Sequence, residues 1–517
     1  MKFPLSKTKR MIYARKIKGF SEDFFSHRTG IAGLILIIFF VAIALLSPYL
    51  SPYDPYRLPK VAKVFAPPVW VTLFPGFEGL NPTLEYPLTW SFTQNTSFIS
   101  IKPLQKESEI FYDNEGIESA PQTIESTLTY QYTYKPPPSF VFDAWFRATN
   151  VTNTRYVIQF LIKTPEGKYF IISERNSTRS EKYAIPISSP VPSRSDDADF
   201  RIYFVARNFE GFEILLSTNP LDRIKKEYLE KRDVAVKVDP CAVIFEKPGE
   251  YDFILRLTFR PIDTEKRASA TVSIVTYQER VASFKIEGHV HGILGTDYRG
   301  RDVFSQIITG ARISLLVGIA SAILSVSMGI IVGVTAGYIS GFVDEALMRI
   351  VDILLCLPAL PILLALVSIW GPNILYIIIL IAIFGWQGLS RVIRSRVLSL
   401  KEMFFVESAR ASGASTSYII MRHIVPNVMP IAISALILAV PGAILTEATL
   451  SFIGFGDPTI PTWGRLLNEA QQTGAFARLA WWVIFPPGIA ISILCLGFIL
   501  IGHAIDEVLN PRLRRRR

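Results

Sequence analysis

Residues 407–427 read Glu407-Ser-Ala-Arg-Ala-Ser-Gly413-Ala-Ser-Thr-Ser417-Tyr-Ile-Ile-Met-Arg-His423-Ile-Val-Pro426-Asn427, a short polar stretch between long apolar runs. Ser408 and Ala409 followed by Gly413 suit a short helix that packs closely and then turns sharply. Ser417 to His423 suits a second short helix, which Pro426 discourages from continuing. Two short helices joined by a glycine turn make a compact knob of the kind that enters a cleft on another protein. An amphipathic loop lying on a membrane satisfies the same spacing.

The surrounding chain is that of a multispanning membrane protein. Half of its 517 residues are apolar, its mean hydropathy is positive, and several apolar runs are long enough to span. Residues 51–300 hold 30 Lys/Arg against 31 Asp/Glu, so the net charge of +10 resides in the remainder, with 24 basic and 13 acidic residues. Basic charge beside spans fits cytoplasmic flanks facing anionic lipid. It does not form the aromatic-interleaved patch of a nucleic-acid binder. Cys241, Cys356 and Cys495 fit neither a disulfide framework nor a zinc spacing and read as buried small apolar residues.

In order, residues 1–30 form a basic cytoplasmic segment and Ile31–Leu50 a first span, too long for a cleaved signal peptide and lacking a small-residue cleavage site. Residues 51–290 then change character, with Pro, Thr, Tyr, charge and period-two alternation. Arg155–Lys163, Pro165-Glu-Gly167 and Lys168–Ser173 predict a β-hairpin, and further strands are expected at Phe200–Arg207, Phe212–Leu216, Tyr251–Arg260, Thr271–Tyr277 and Ala282–Glu287. Leu221–Val234 is the one convincing soluble helix. A β-rich, sandwich-like extracytoplasmic insertion follows, and sequons beginning at Asn95, Asn150 and Asn176 agree with an outside location.

Within the interfacial pre-span stretch 291–312, Asp302 should lie near the N-terminus of a helix whose apolar face, Val303, Phe304, Ile307 and Ile308, lies at the outer interface. Five further spans are expected within 313–508: Ile313–Ile339, Leu347–Trp370, Ile374–Trp386 continuing to Ser390, Val428–Phe455 and Leu479–Val508. The glycines of the first make it central. Arg349 and Asp352, three apart, should pair on one face. The N-terminal segment has eight Lys/Arg, the loop 391–423 six and the tail 509–517 five, whereas 456–478 has only Arg465 and Arg478. Both termini and the loop 391–427 are therefore expected to be cytoplasmic.

No phosphate cradle, metal-ligand pattern or nucleophile–base pair can be built from the sequence. Energy for active transport would have to enter through another subunit, and the knob would be its docking point. Glu447 is an ionisable residue well inside a span, where it either lines a path or bonds a neighbouring helix. Trp463 reads as an interfacial anchor.

Glu407-Ser-Ala, then Gly413 and His423-Ile-Val-Pro426-Asn427, resembles the "EAA" loop of ABC importer permeases, in particular the C-type permease of the dipeptide/oligopeptide (and nickel) branch. Ser408 and Val425 replace that loop's usual Ala and Leu. Gly295-Thr296-Asp297 and Gly300-Arg301-Asp302 match the same family's pre-span motif, and Glu447 and Trp463-Gly464 also have counterparts. The insertion does not. The resemblance implies a six-helix α-helical polytopic membrane fold of the type-1 importer class with the β domain inserted, in a prokaryotic inner or plasma membrane. It implies a non-enzymatic permease subunit that imports peptides by alternating access, the same machinery in related systems carrying oligosaccharides or nickel. Implied partners are a second homologous permease, two cytoplasmic ATPase subunits that bind ATP and Mg, an extracytoplasmic solute-binding protein and membrane lipid. By the same resemblance Glu407, Ser408, Ala409, Gly413, His423, Pro426 and Asn427 would couple to the ATPase, and Glu447 and Asp352 are path candidates. A membrane receptor whose outer β domain binds ligand is the reading from a different class.

Overall fold

The computed structural model describes residues 22–54, 60–87, 98–103, 108–115, 120–176, 198–206, 215–217, 240–275 and 283–509. The chain divides into a helical unit, residues 1–59 and 301–517, and a β unit, Lys60–Gly300. The second unit begins and ends about ten residues later than the expected insertion 51–290.

The β unit is a two-sheet sandwich. Its strands are β1 (Leu84–Pro87), β2 (Ile99–Pro103), β3 (Ser108–Asn114), β4 (Gln122–Tyr132), β5 (Ser139–Thr152), β6 (Thr154–Lys163), β7 (Tyr169–Asn176), β8 (Ala198–Ala206), β9 (Leu215–Ser217), β10 (Gly249–Pro261), β11 (Ala268–Val275) and β12 (Ser283–Glu287). One sheet runs β1-β12-β5-β11-β3-β2 with β8 also on β5, and the other runs β4-β10-β6-β7-β9. Alternation produces the core: Phe140, Phe142, Ala144, Phe146 and Ala148 are all buried on one face of β5, facing Phe253, Leu255, Leu257 and Phe259 of β10. Phe142 stacks on Phe160 at 4.1 Å and Tyr112 on Phe259 at 5.1 Å, each pair joining the two sheets.

The expected hairpin is β6–β7, with Lys163 opposite Tyr169 and Gly167 at φ +78° in its turn. The strands expected at 200–207, 251–260, 271–277 and 282–287 correspond to β8, β10, β11 and β12. Strands β1 to β5 were not anticipated; their β-branched and aromatic residues are interrupted by the acidic and amide residues that face water. Only the end of the strand expected at Phe212–Leu216 is described, as β9, and the helix expected at Leu221–Val234 lies outside the described residues, as does Asn95.

The helical unit contains α1 (Arg28–Leu50), α2 (Val303–Ile339), α3 (Gly341–Cys356), α4 (Ala359–Trp370), α5 (Ile374–Ile383), α6 (Gln387–Lys401), α7 (Phe404–Ala411), α8 (Thr416–Ile419), α9 (Val425–Ile453), α10 (Trp463–Gln472) and α11 (Trp481–Leu509). Among the described residues four helical stretches are long and apolar enough to cross a membrane, and up to six if each of two bent pairs is one span. The region expected as one span from Leu347 to Trp370 is bent by 89° between α3 and α4. Pro358 has no N–H and restricts Leu357, which is extended at φ −76° and ψ 133°. A milder 40° bend separates α5 from α6. The segment expected as an interfacial helix before the second span is instead the first part of the 37-residue α2, about 55 Å long.

α2 is central, as its glycines require. A Cβ on Gly333 would lie 2.6 Å from the Ser390 carbonyl oxygen of α6, so those two backbones nearly touch, and one on Gly318 would lie 2.6 Å from the Ile444 side chain of α9, which fills the space the glycine leaves. Trp463 is buried against Gly310 and Phe40 and donates to the Ile307 carbonyl at 2.9 Å. It is a core residue, correcting the expectation of an interfacial anchor, because its ring fills the space Gly310 leaves. Cys241 and Cys495 are buried as expected, but Cys356 is exposed.

In the sandwich His289 donates from Nδ1 to Asn81 Oδ1 at 2.6 Å. Burial, then the charges of Lys63 and Lys135, lowers its pKa from 6.5 to about 4. The folded state therefore holds a neutral imidazole, and its stabilisation is complete above pH 6.5 and lost as pH falls toward 4. The melting temperature of the sandwich in the solubilised chain should fall across that interval, and His289→Gln should flatten the fall. An unchanged slope in the variant contradicts this assignment.

Candidate functional site

The knob forms where the bundle's long helices end. α7 closes at Gly413, whose φ of +79° is the left-handed conformation that glycine adopts without a Cβ clash. The Ala414 N–H reaches the Ala409 carbonyl at 3.1 Å and the Gly413 N–H reaches Arg410 at 3.0 Å, satisfying carbonyls the helix end would orphan. The Ser415 side chain then caps α8 by accepting from the Tyr418 N–H.

The second half departs from the sequence reading. Residues Ile420–Ile424 form a π-helical turn, and Pro426 stands in the first turn of α9. Proline was expected to stop a short helix; here the helix runs unbroken from Thr416 to Ile453, and the π-helical turn comes just before the proline whose N–H is missing. The widened turn leaves carbonyls short of partners, and Asn427 supplies one by donating from Nδ2 to the His423 carbonyl at 2.6 Å. The His423 ring lies 5.9 Å from both Phe405 and Tyr418.

The inner face of the knob is bolted to the bundle. Val406, Ile419, Ile424 and Val428 are buried with Val334 of α2 and Ile393, Val397 and Leu400 of α6, and Ala409 packs against the same cluster. The outer face is open: Phe404 is 87% exposed, Met421 68% and Tyr418 55%, and Glu407, Ser408, Arg410, Arg422 and Pro426 are exposed around them. Glu407 is also in the first turn of α7, where the helix dipole favours it.

Charge pairs join α6, which leads into the knob, to α3. Arg394 grips Asp344 through both guanidinium edges, with Nη2 to Oδ2 at 2.6 Å. Arg391 pairs with Asp352, and Lys401 Nζ donates to Ser340 Oγ at 2.7 Å. The expected Arg349–Asp352 pair is absent: Arg349 lies 3.7 Å from Glu345, one helical turn away, and Asp352 goes to the facing helix. Half-exposed and paired to Arg391, Asp352 is held to this helix clamp.

Arg301 and Asp302 precede α2, at the end of that helix opposite Val334, which packs on the knob. Asp302 caps that helix, accepting from the Ser305 N–H at 2.7 Å and its Oγ at 2.6 Å, as expected. Buried Arg301 pairs with Glu469, which also binds Arg465 at 3.0 Å. Within the β unit Thr296 donates to the Lys63 carbonyl and accepts from the Ala66 N–H, and Asp297 accepts from the Arg299 N–H. Gly295 and Gly300 have positive φ, and a Cβ on Gly300 would strike the Ala62 carbonyl oxygen at 2.4 Å. These are structural duties.

Glu447 is 1% exposed on α9, facing α10. Its Oε1 accepts from Ser451 at 2.6 Å, Thr462 is its other polar neighbour, and Oε2 has no hydrogen-bond partner among the described residues. The Ser451 bond lies within α9 itself, and Thr462, the N-cap of α10, is its polar contact on another helix. No group of His, Cys, Asp or Glu that could hold a metal occurs among the described residues. Phe404, the Arg394–Asp344 clamp and Glu469 escaped the sequence reading. Exposure and pairings across 50 and 168 residues leave no local pattern.

Residues 329–515 match the family described as binding-protein-dependent transport system inner membrane component, and residues 18–68 match the N-terminal TM domain of oligopeptide transport permease C. The oligopeptide transport system permease protein OppC of Escherichia coli (strain K12) is 40% identical over 220 residues, 42% of this chain and 72% of that protein. The chain belongs to this family of inner-membrane transport components. Bacillus subtilis OppC is 38% identical to this permease over 222 residues, 43% of the chain and 72% of the relative. Dipeptide transport permease DppC of the same organism is 37% identical, over 43% and 69% respectively. Among solved structures, the inward-facing MetNI methionine ABC transporter matches at TM-score 0.31 and 18% identity, over 39% of this permease and 96% of that chain.

The clamp predicts a double-variant result. Arg394→Ala should destabilise the solubilised permease because it strands the mostly buried Asp344, and adding Asp344→Ala should restore part of the loss. Additive losses in thermal unfolding would contradict a direct pair.

Proposed function

We propose that this permease imports peptides, forming half of a translocation path with a second, homologous permease and receiving cargo from an extracytoplasmic solute-binding protein. The names of its relatives, oligopeptide and dipeptide transport permeases, support the cargo class. Both termini and the knob face the cytoplasm, an orientation supported by the Lys/Arg excess in those segments. The six-span count follows if each bent helix pair crosses once.

The observation that carries the proposal is a rigid knob with an exposed aromatic and methionine face, bolted by its inner face to α2, α6 and α9. Such a body transmits force in both directions. Two cytoplasmic ATPase subunits, which bind ATP and Mg, supply that force, one of them receiving Phe404 and Tyr418 in a surface cleft. Glu407 and Arg410 meet charges at its rim, Ala409 permits close packing, and Gly413 sets the angle between α7 and α8. Pro426, Asn427 and His423 hold the π-helical turn that joins the knob to α9.

Gly413→Asp tests this directly. A built Cβ at Gly413 meets nothing within 4 Å, so the variant has room, but φ of +79° costs a non-glycine residue about 1–2 kcal/mol. Membrane insertion should be preserved and substrate-stimulated ATP hydrolysis by the assembled importer lost. Normal coupled transport in the variant would refute the assignment.

A further inference from the structure

Among its described residues the β unit gathers nearly all of its exposed large apolar side chains in two segments. Of eight large apolar side chains exposed among its described residues, seven lie between Val64 and Phe77 or at Ile293, and the eighth is Ile262. Leu73 is 83% exposed and Phe74 54%. The run Val64–Phe77 contains no charged residue.

The patch is built rather than loose. A 3₁₀ turn at Val69–Leu73 buries Val71 inward and turns Trp70 and Leu73 outward. The Val69 N–H bonds the Gly292 carbonyl at 3.0 Å, and the Trp70 indole donates to the Ile293 carbonyl at 2.9 Å. Two segments distant in sequence are thereby stitched into one surface, on which Trp70 and Phe74 meet edge to face at 6.2 Å.

Both segments are leashed to membrane-spanning helices. Val69 is 19 positions beyond Leu50, the end of α1, and Ile293 is ten positions before Val303, the start of α2. A chain spans at most about 3.5 Å per residue, so Ile293 lies within about 35 Å of the start of α2 along the chain. Indole and phenyl rings with their polar edge satisfied favour the headgroup boundary of a bilayer, and uncharged apolar surface favours insertion there.

We propose that this patch is a membrane anchor: Trp70, Leu73, Phe74 and Ile293 seat the β unit on the outer lipid surface. The occupant is lipid, held by insertion of these rings into the headgroup boundary.

The test uses the full chain in phosphatidylcholine–phosphatidylglycerol vesicles, in a Cys356→Ser background whose remaining cysteines are buried. A single cysteine at Leu73→Cys or Phe74→Cys carries an environment-sensitive fluorophore, and Ile262→Cys is the control on the same unit. Labels at 73 and 74 should show blue-shifted emission and lose intensity when lipids spin-labelled near the headgroup are included, with no shift at 262. Absence of quenching at 73 and 74, or equal quenching at 262, overturns the proposal. A blue shift that appears only when the solute-binding protein or second permease is added also overturns it and assigns the patch to a protein partner.

Discussion

Everything proposed for the knob depends on one contact: Val406, Ile419 and Ile424 buried against Val334, Ile393 and Val397. Each such side chain contributes about 1.5–3 kcal/mol when fully removed from water. That is enough to hold the eight-residue α7, and the first turns of the helix that continues from Thr416 into α9, against the bundle. Without this packing the polar stretch would be the amphipathic surface loop that its spacing also permits. With it, Phe404 and Met421 are held outward on a body that moves with the helices behind it. The close approach of α2 to α6 at Gly333 and the Arg394–Asp344 clamp extend the same rigidity up the bundle.

How much of this was legible from sequence differs by feature, for physical reasons. Local patterns were read well. The glycine turn at Gly413, the cap at Asp302, the β6–β7 hairpin and the glycine-rich central helix each depend on residues within a few positions of one another. Pro358 and Pro361 were visible within a long apolar run, but hydropathy has no angle in it, so an 89° break was read as a straight span. Pro426 was visible too, and its effect was misassigned because a proline that ends a helix and one that follows a π-helical turn within a helix look alike in sequence. The family resemblance supplied the knob's role; periodicity alone could not choose between knob and surface loop.

Long-range pairing was not legible. Asp352 had an opposite charge three positions away and chose Arg391 on a facing helix, since the bend after α3 brings α6 alongside. Trp463 looked like an anchor because interfacial tryptophans are common, and only Gly310, 153 positions earlier, reveals the slot it fills. The β unit was predicted as a class, yet strands β1 to β5 and the exposed patch at Val64–Phe77 emerged only from three-dimensional exposure.

The central claim is that the outer face of the knob seats in an ATPase subunit, and disulfide trapping in the assembled importer tests it most directly. Cysteine at Phe404 or Ser408 of the permease, paired with cysteines scanned along the ATPase surface, should cross-link at one cleft, with a yield that changes on adding ATP. A cysteine at exposed Glu115 lies in the β unit and should yield no ATPase adduct. Failure of Phe404 and Ser408 to cross-link in a complex that still transports would contradict the account.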